Sequence, residues 1–352
     1  MLPVRSAAAG WSSARNAPRT SATLAGSVAS VLRWGRRASL GSLVVLAATL
    51  PTARAAADEP PPEVGYDYGQ FEWPRAAALG GAVRAFSSSL DALYVNPANM
   101  ATTRIYHLGG VGQFWPEAGR SSFGGGIVDS ITNRLAGGIG GQYLIQDPNG
   151  LDREAGDLRI GLAIPFSDRF FLGLAGRHLW LRQSGDGPLG DSPASGGLED
   201  RNIVRSFSFD AGATLRPTKG LSLALVGHNL TNPDHGLLPL LAGGGVGFGT
   251  SDFTIEVDAL GDFTTWLEPT VQVMGGGELL AADHYPIRLG YRFDQGADSH
   301  SVCVGLGYVE RAFSANLALR RTVVGDASTA VFLGFEYHLE ATDLTPSPAD
   351  TF

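Results

Sequence analysis

From about Arg104 onward, apolar side chains alternate with small or polar ones in segments of about ten residues. That is the period of a strand whose two faces meet different surroundings. Val331, Leu333, Phe335, Tyr337 and Leu339 interleave with Phe332, Gly334, Glu336 and His338, and Ile287, Leu289, Tyr291 and Phe293 with Arg288, Gly290, Arg292 and Asp294. The same alternation sets Phe253, Ile255, Val257 and Ala259 against Thr254, Glu256 and Asp258, and Phe207, Phe209, Ala211 and Ala213 against Ser208, Asp210, Gly212 and Thr214. About fourteen such segments run to Glu340, beginning near residues 104, 121, 134, 157, 169, 202, 220, 240, 252, 268, 285, 299, 311 and 328.

An even count suits a closed antiparallel barrel, and the connections between segments obey a second rule of such barrels. Those near 115–117, 147–149, 185–199, 229–239, 262–266, 295–299 and 324–327 alternate strictly with shorter ones near 132–133, 167–168, 218–219, 251–252, 281–284 and 310–311. In hydrocarbon every backbone donor and acceptor must be paired within the protein, so a sheet survives there only if it closes on itself. The expected fold is all-β: a transmembrane antiparallel β-barrel of about 14 strands, spanning 104–340. Asp210, Glu256, Asp258, Arg288, Arg292 and Glu336 share the mixed faces and are expected in the lumen, where charge is tolerated. Trp115, Trp180, Trp266, Tyr285, Tyr308 and Tyr337 fall near strand ends, where aromatic girdles belong. A soluble sandwich or propeller also has alternating strands, but no propeller repeat is present and oily residues occur in nearly every segment.

Composition adds the compartment. The first 55 residues carry seven Arg and no Asp or Glu, then the apolar run Ala38 to Leu50 and the small-x-small triplet Ala53-Arg54-Ala55. This is the layout of a cleaved export signal, so residues 1–57 are read as signal and cleavage region and 58–103 as a spacer and plug before the barrel. A tail, 341–352, follows it. The formal net charge of −8 becomes more negative once the leader is removed, and Lys219 is the single lysine. Nucleic acid is therefore not an expected partner. Cys303 is the only cysteine, so there is no internal disulfide. The seven His have no metal-site spacing, Gly190-Asp191-Ser192 has no strand-to-helix turn around it, and no cofactor motif occurs. No catalytic residue, metal or cofactor is expected.

Before the first strand stands ALGGAVRAFSSSLDALYVNPANMA, Ala78 to Ala101. Ser88-x-x-Asp91 can cap a short apolar turn, Leu90 to Tyr94, which Pro97 must end. Asn96 can then cap a new turn with Pro97 in its first position, a rigid reversal. The stretch resembles the N-terminal plug of the FadL/PorV-like superfamily of outer-membrane barrels in Gram-negative bacteria, through Gly80, Gly81, Ala85, Asp91, Ala92, Asn96, Pro97 and Ala98. Asn99 departs from the pattern, standing where a Gly often follows, and the outer loops are shorter than in the fatty-acid transporters.

The resemblance implies passive transport of hydrophobic small molecules, such as long-chain fatty acids or hydrocarbons, through a plugged, monomeric barrel in outer-membrane lipid. Phe86, Leu90, Leu93, Tyr94 and Met100 would be the apolar contacts around Asn96, Pro97 and Ala98. In those transporters a kink in the third strand opens a side portal, and Gly137, Gly138, Gly140 and Gly141 fall there. GHNLTNP (227–233) and YPIRLGYRFD (285–294) resemble the PorV-type members, which implies an alternative: a barrel that binds exported proteins in secretion or surface attachment. Gly334, Tyr337 and Leu339 match the last-strand signal read by the barrel-assembly machinery.

Overall fold

A computed structural model describes residues 71–146, 153–183, 201–233 and 238–340. The expected leader, the spacer to residue 70, the loop at 185–199 with its Gly190-Asp191-Ser192, and the tail lie outside the described residues. Among the described residues, two short helices, α1 (Pro74–Ala78) and α2 (Ser89–Val95), and a 3₁₀ turn (Pro97–Ala101) precede fourteen strands. These are β1 (Ile105–Trp115), β2 (Arg120–Asp129), β3 (Ala136–Gln146), β4 (Arg153–Pro165), β5 (Phe170–Gln183), β6 (Arg201–Leu215), β7 (Leu221–His228), β8 (Leu241–Gly249), β9 (Phe253–Asp262), β10 (Thr270–Ala281), β11 (Tyr285–Asp294), β12 (Ser299–Val309), β13 (Phe313–Val324) and β14 (Thr329–Glu340).

Each strand pairs antiparallel with its sequence neighbours, and β1 closes the ring on β14, with Ile105 opposite Glu340 and Phe114 opposite Val331. Closure leaves no free edge. Both ends of the barrel sequence therefore lie at one end of the cylinder, here called the terminal end. The connections there (130–135, 166–169, 216–220, 250–252, 282–284, 310–312) are short, and those at the distal end include the long ones at 184–200 and 229–240.

The two faces of the wall follow the alternation. On β4, Leu158, Ile160, Leu162 and Ile164 are exposed while Asp157, Arg159, Gly161 and Ala163 are buried; on β11, Ile287, Leu289 and Tyr291 are exposed while Arg288, Gly290 and Arg292 are buried. The outer surface is thus an apolar belt and the inner one is mixed, the inverse of a water-soluble barrel. At the terminal rim, Tyr285, Tyr308, Phe313 and Phe335 form a chain of ring contacts with centroids 5.5 to 5.9 Å apart. Trp115 does not join the girdle. It shares the parity of the inward Val111 and Gln113, is buried, and packs edge-on against Phe332 in the lumen.

The helical segment fills the barrel. Its helices are too short to stand alone; they persist because they are packed on all sides, α1 against β11–β14, α2 against β1–β4 and the 3₁₀ turn against β3–β6. Inward glycines make this possible. A Cβ on Gly290 would fall on the backbone of Leu79 and Gly80, one on Gly276 would lie 2.6 Å from Leu79 O, and one on Gly173 would collide with Pro97 and Ala98. Part of the chain's unusual glycine content, 48 residues, is this imprint of the plug on the wall.

Candidate functional site

The plug is fastened at a few polar points. Around the reversal, Asn96 Oδ1 accepts the Ala98 N–H at 3.2 Å, with Pro97 in the first position of the turn. The Asn96 amide donates to Arg84 O (2.7 Å) and Thr214 Oγ1 (2.9 Å), while Thr214 donates to Asn99 Oδ1 at 2.6 Å. Asn99 in turn donates to Arg84 O and Ser87 Oγ at 2.8 and 2.9 Å. Asn96, Asn99 and Thr214 have no solvent exposure, so these bonds occupy polar groups that water cannot reach.

A second point is a clasp from β9. Asp258 Oδ2 accepts the N–H groups of Val83 and Arg84, each at 3.0 Å, and the Arg84 guanidinium at 3.1 Å. Glu256 accepts the N–H groups of Ala85 and Phe86, and Ser222 Oγ donates to Ala85 O at 2.8 Å. Two carboxylates thus hold four successive backbone donors of the turn 83–86. Ion pairs form the third set: Glu278 with Arg75 and Arg288, and Glu72 with Arg292 and Arg320. Burial alone would raise the Glu72 carboxyl, but Arg320 and Arg292 outweigh it and hold it below the usual carboxylate range.

Between these points the contacts are apolar. A Cβ on Gly109 or Gly126 would lie 2.8 or 2.9 Å from a Leu90 methyl, Leu93 and Met100 occupy the space left by Gly161, and Phe86 that left by Gly247. Tyr94 lies 4.7 Å under the Arg159 guanidinium and meets Trp73 edge-on at 6.5 Å. One buried apolar cluster joins Leu90, Leu93, Tyr94, Val95 and Met100 of the plug to Leu144, Leu179, Leu181 and Val204 toward the distal end of the wall, and to Val128, Ala136 and Ala163 toward the terminal end.

No protein-family profile matches the sequence, and a search among curated proteins finds no match. Solved structures do match. The CymD monoaromatic hydrocarbon channel superposes with a TM-score of 0.60 at 12% identity, over 77% of this chain and 98% of that one. A Pseudomonas aeruginosa FadL homologue gives 0.53 at 16%, over 77% and 98%. The fold is that of the FadL-type channels. The Ralstonia pickettii toluene transporter TbuX agrees, at 0.53 and 13% identity over 77% of this chain and 99% of that one.

Within the barrel the six charges expected in the lumen all lie on inward faces, but they do not form one network. Glu256 and Asp258 bind plug backbone. Asp210 accepts the Asn229 N–H at 2.8 Å and Arg159 at 3.2 Å, in a separate cluster with Asp157, Arg177 and His228. Arg292 reaches Glu72; Arg288 pairs with Glu278 and donates to Asn316 at 2.7 Å; Glu336 accepts from Ser314 at 3.2 Å.

Two expectations need correction. Ser88 precedes α2 but its side chain makes no capping bond, because Ser89 takes a left-handed φ of +53° and turns the helix start away from it. The glycine cluster in β3 is no opening: Gly137 to Gly141 pair in unbroken register with Asp129 to Gly125 on β2 and Leu162 to Leu158 on β4. Gly138 and Gly140 face inward and leave room for Met100, Leu93 and Tyr94. Thr214, Glu278 and Arg320 were not singled out from the sequence, although each shares the strand parity of inward neighbours. For Glu72, Arg75 and Arg84, outside the alternation, the signal was only charge in an apolar segment.

Proposed function

We propose that this protein is an outer-membrane channel for the passive passage of hydrophobic small molecules, hydrocarbons or long-chain fatty acids, gated by movement of the plug that precedes β1. The observation that carries the reading is the apolar cluster that joins Leu144, Leu179, Leu181 and Val204 to Tyr94, Leu93, Leu90 and Met100 and continues to Val128 and Ala136. It runs through a mixed lumen from toward one end of the barrel to toward the other. Apolar surface bound to apolar surface exchanges for an apolar ligand at little cost, whereas a sugar or ion would have to be desolvated along it. Channels of the same fold named for monoaromatic hydrocarbons and toluene support the same class of cargo. Leu90, Leu93, Tyr94, Phe86 and Met100 would touch the passing molecule, and the Asn96-Pro97-Ala98 reversal would hold the plug's resting position.

The test is uptake of a labelled monoaromatic hydrocarbon and a labelled long-chain fatty acid by cells with and without the barrel in their outer membrane. Faster uptake with the barrel, reduced several-fold by Leu93→Asp in a protein that still assembles, is the expected result. Equal uptake by both cell types overturns the reading.

A further inference from the structure

Between α1, α2 and the wall strands β1, β11, β13 and β14 lies a cavity of about 240 Å³ toward the terminal end, lined by Arg75, Ser88, Ser89, Asp91, His107, Arg288, Glu336 and His338 among others. Its polar groups are poorly matched. Asp91 Oδ1, Ser89 Oγ and the Nδ1 atoms of His107 and His338 are buried without a hydrogen-bond partner, and the two imidazoles lie 5.2 Å apart. The two arginines are committed elsewhere: Arg75 donates to Glu278 and Phe86 O, and Arg288 to Glu278 and Asn316. Asp91 therefore sits 6% exposed beside a second carboxyl, Glu336, with no guanidinium free to pair with it. Ser89, two residues before it, has the left-handed φ noted above and no capping bond holds the start of α2. The start of α2 thus lacks a polar fastening like those that hold the turn 83–86 and the reversal at Asn96.

We propose that protonation of Asp91 latches α2 onto the wall, so that the plug sits tightly in acid and loosens as the pH rises. Every charged group facing Asp91 bears on the sense of the switch. Burial pushes the carboxyl up to about 7, Arg75 and Arg288 oppose this, and Glu336 and Glu278 reinforce it. In a loosened plug the carboxyl returns to water and to its ordinary value of about 4. The docked state is thus favoured in full below about pH 4, and that preference is lost as the pH rises through about 7. His107 and His338 face the same cavity, and a positive charge on either would act in the opposite sense by favouring the ionised carboxyl. The latch concerns how firmly the plug sits and stands whether or not a hydrophobic molecule passes.

The experiment is hydrogen–deuterium exchange of the full chain in lipid vesicles, read on the peptide covering Ser89–Val95 at pH 5 to 8 and corrected for the pH dependence of chemical exchange. Opening of α2 is expected to increase on the order of a hundredfold across that range while strand peptides stay constant. Asp91→Asn should flatten the response, and Glu336→Gln, by removing a repelling carboxylate, should move its midpoint to lower pH. A flat wild-type profile overturns the proposal, as does a response that persists in Asp91→Asn or one abolished by His107→Gln with Asp91 intact.

Discussion

Thr214 shows how much depends on one hydroxyl. It accepts from Asn96 and donates to Asn99, so a single wall side chain satisfies both asparagines of the reversal. Thr214→Val keeps the shape but leaves an amide N–H and an amide oxygen buried and unpaired, which costs about 1–3 kcal/mol per orphaned group. We expect Thr214→Val to destabilise the plug by that order and Thr214→Ser to behave nearly as wild type; chemical denaturation followed through the fluorescence of Trp73, buried in the plug, measures it. Asn96 was legible in the sequence because an Asn-Pro pair leaves few conformations open. Asn99 was legible only as a departure, since its role depends on Thr214, 115 positions away.

At the scale of the element, the strands were the legible part. Period-two alternation is a local signal, and it places most strand starts within two residues, the widest miss being β4, expected near 157 and beginning at Arg153. The glycines were not legible, because a strand glycine that weakens pairing and one that makes room for a neighbour look alike in sequence. Gly290 and Gly275 separate the two cases. A Cβ on Gly290 has no room beneath Leu79 and Gly80, whereas one on Gly275 meets nothing within 4 Å. Gly290→Val should therefore expel α1 without breaking the barrel, and Gly275→Ala should change nothing. The chain's single cysteine reports the difference. Cys303 lies opposite Gly290 on β12 and is wholly buried. In Gly290→Val it should react with a maleimide at least tenfold faster than in wild type, with heat-dependent gel mobility retained in both; an unreactive thiol in the variant would mean that α1 stays in place.

For the whole molecule the question is which surface lies in hydrocarbon. Most exposed apolar residues lie on the outward parity of the strands, and among the described residues no helix is long and apolar enough to cross a membrane. Exposure alone does not distinguish the belt from the rims. Leu289, 62% exposed in the middle of β11, and Leu267, fully exposed in the distal connection 263–269, look equally oily. With the belt in a bilayer their solvents would differ: mid-strand outward positions would face lipid, and a loop beyond the strand ends water or headgroups. An arginine at mid-depth on the lipid face costs about 2–4 kcal/mol and near the interface about 0–1. Leu289→Arg should therefore lower folding stability in lipid vesicles by about 2–4 kcal/mol, and Leu267→Arg by less than about 1 kcal/mol. Reversible denaturant titration in vesicles measures both, and equal losses would place Leu289 outside the hydrocarbon. The result also bears on the latch, because an inner cavity walled by lipid-backed strands can exchange protons only through the barrel's ends. His338, on the cavity's terminal side, bonds through Nε2 to Glu310 O in the connection 310–312, which places the cavity next to the terminal-end solvent. A pH rise imposed on that side of oriented vesicles should loosen α2 before one imposed on the other side does.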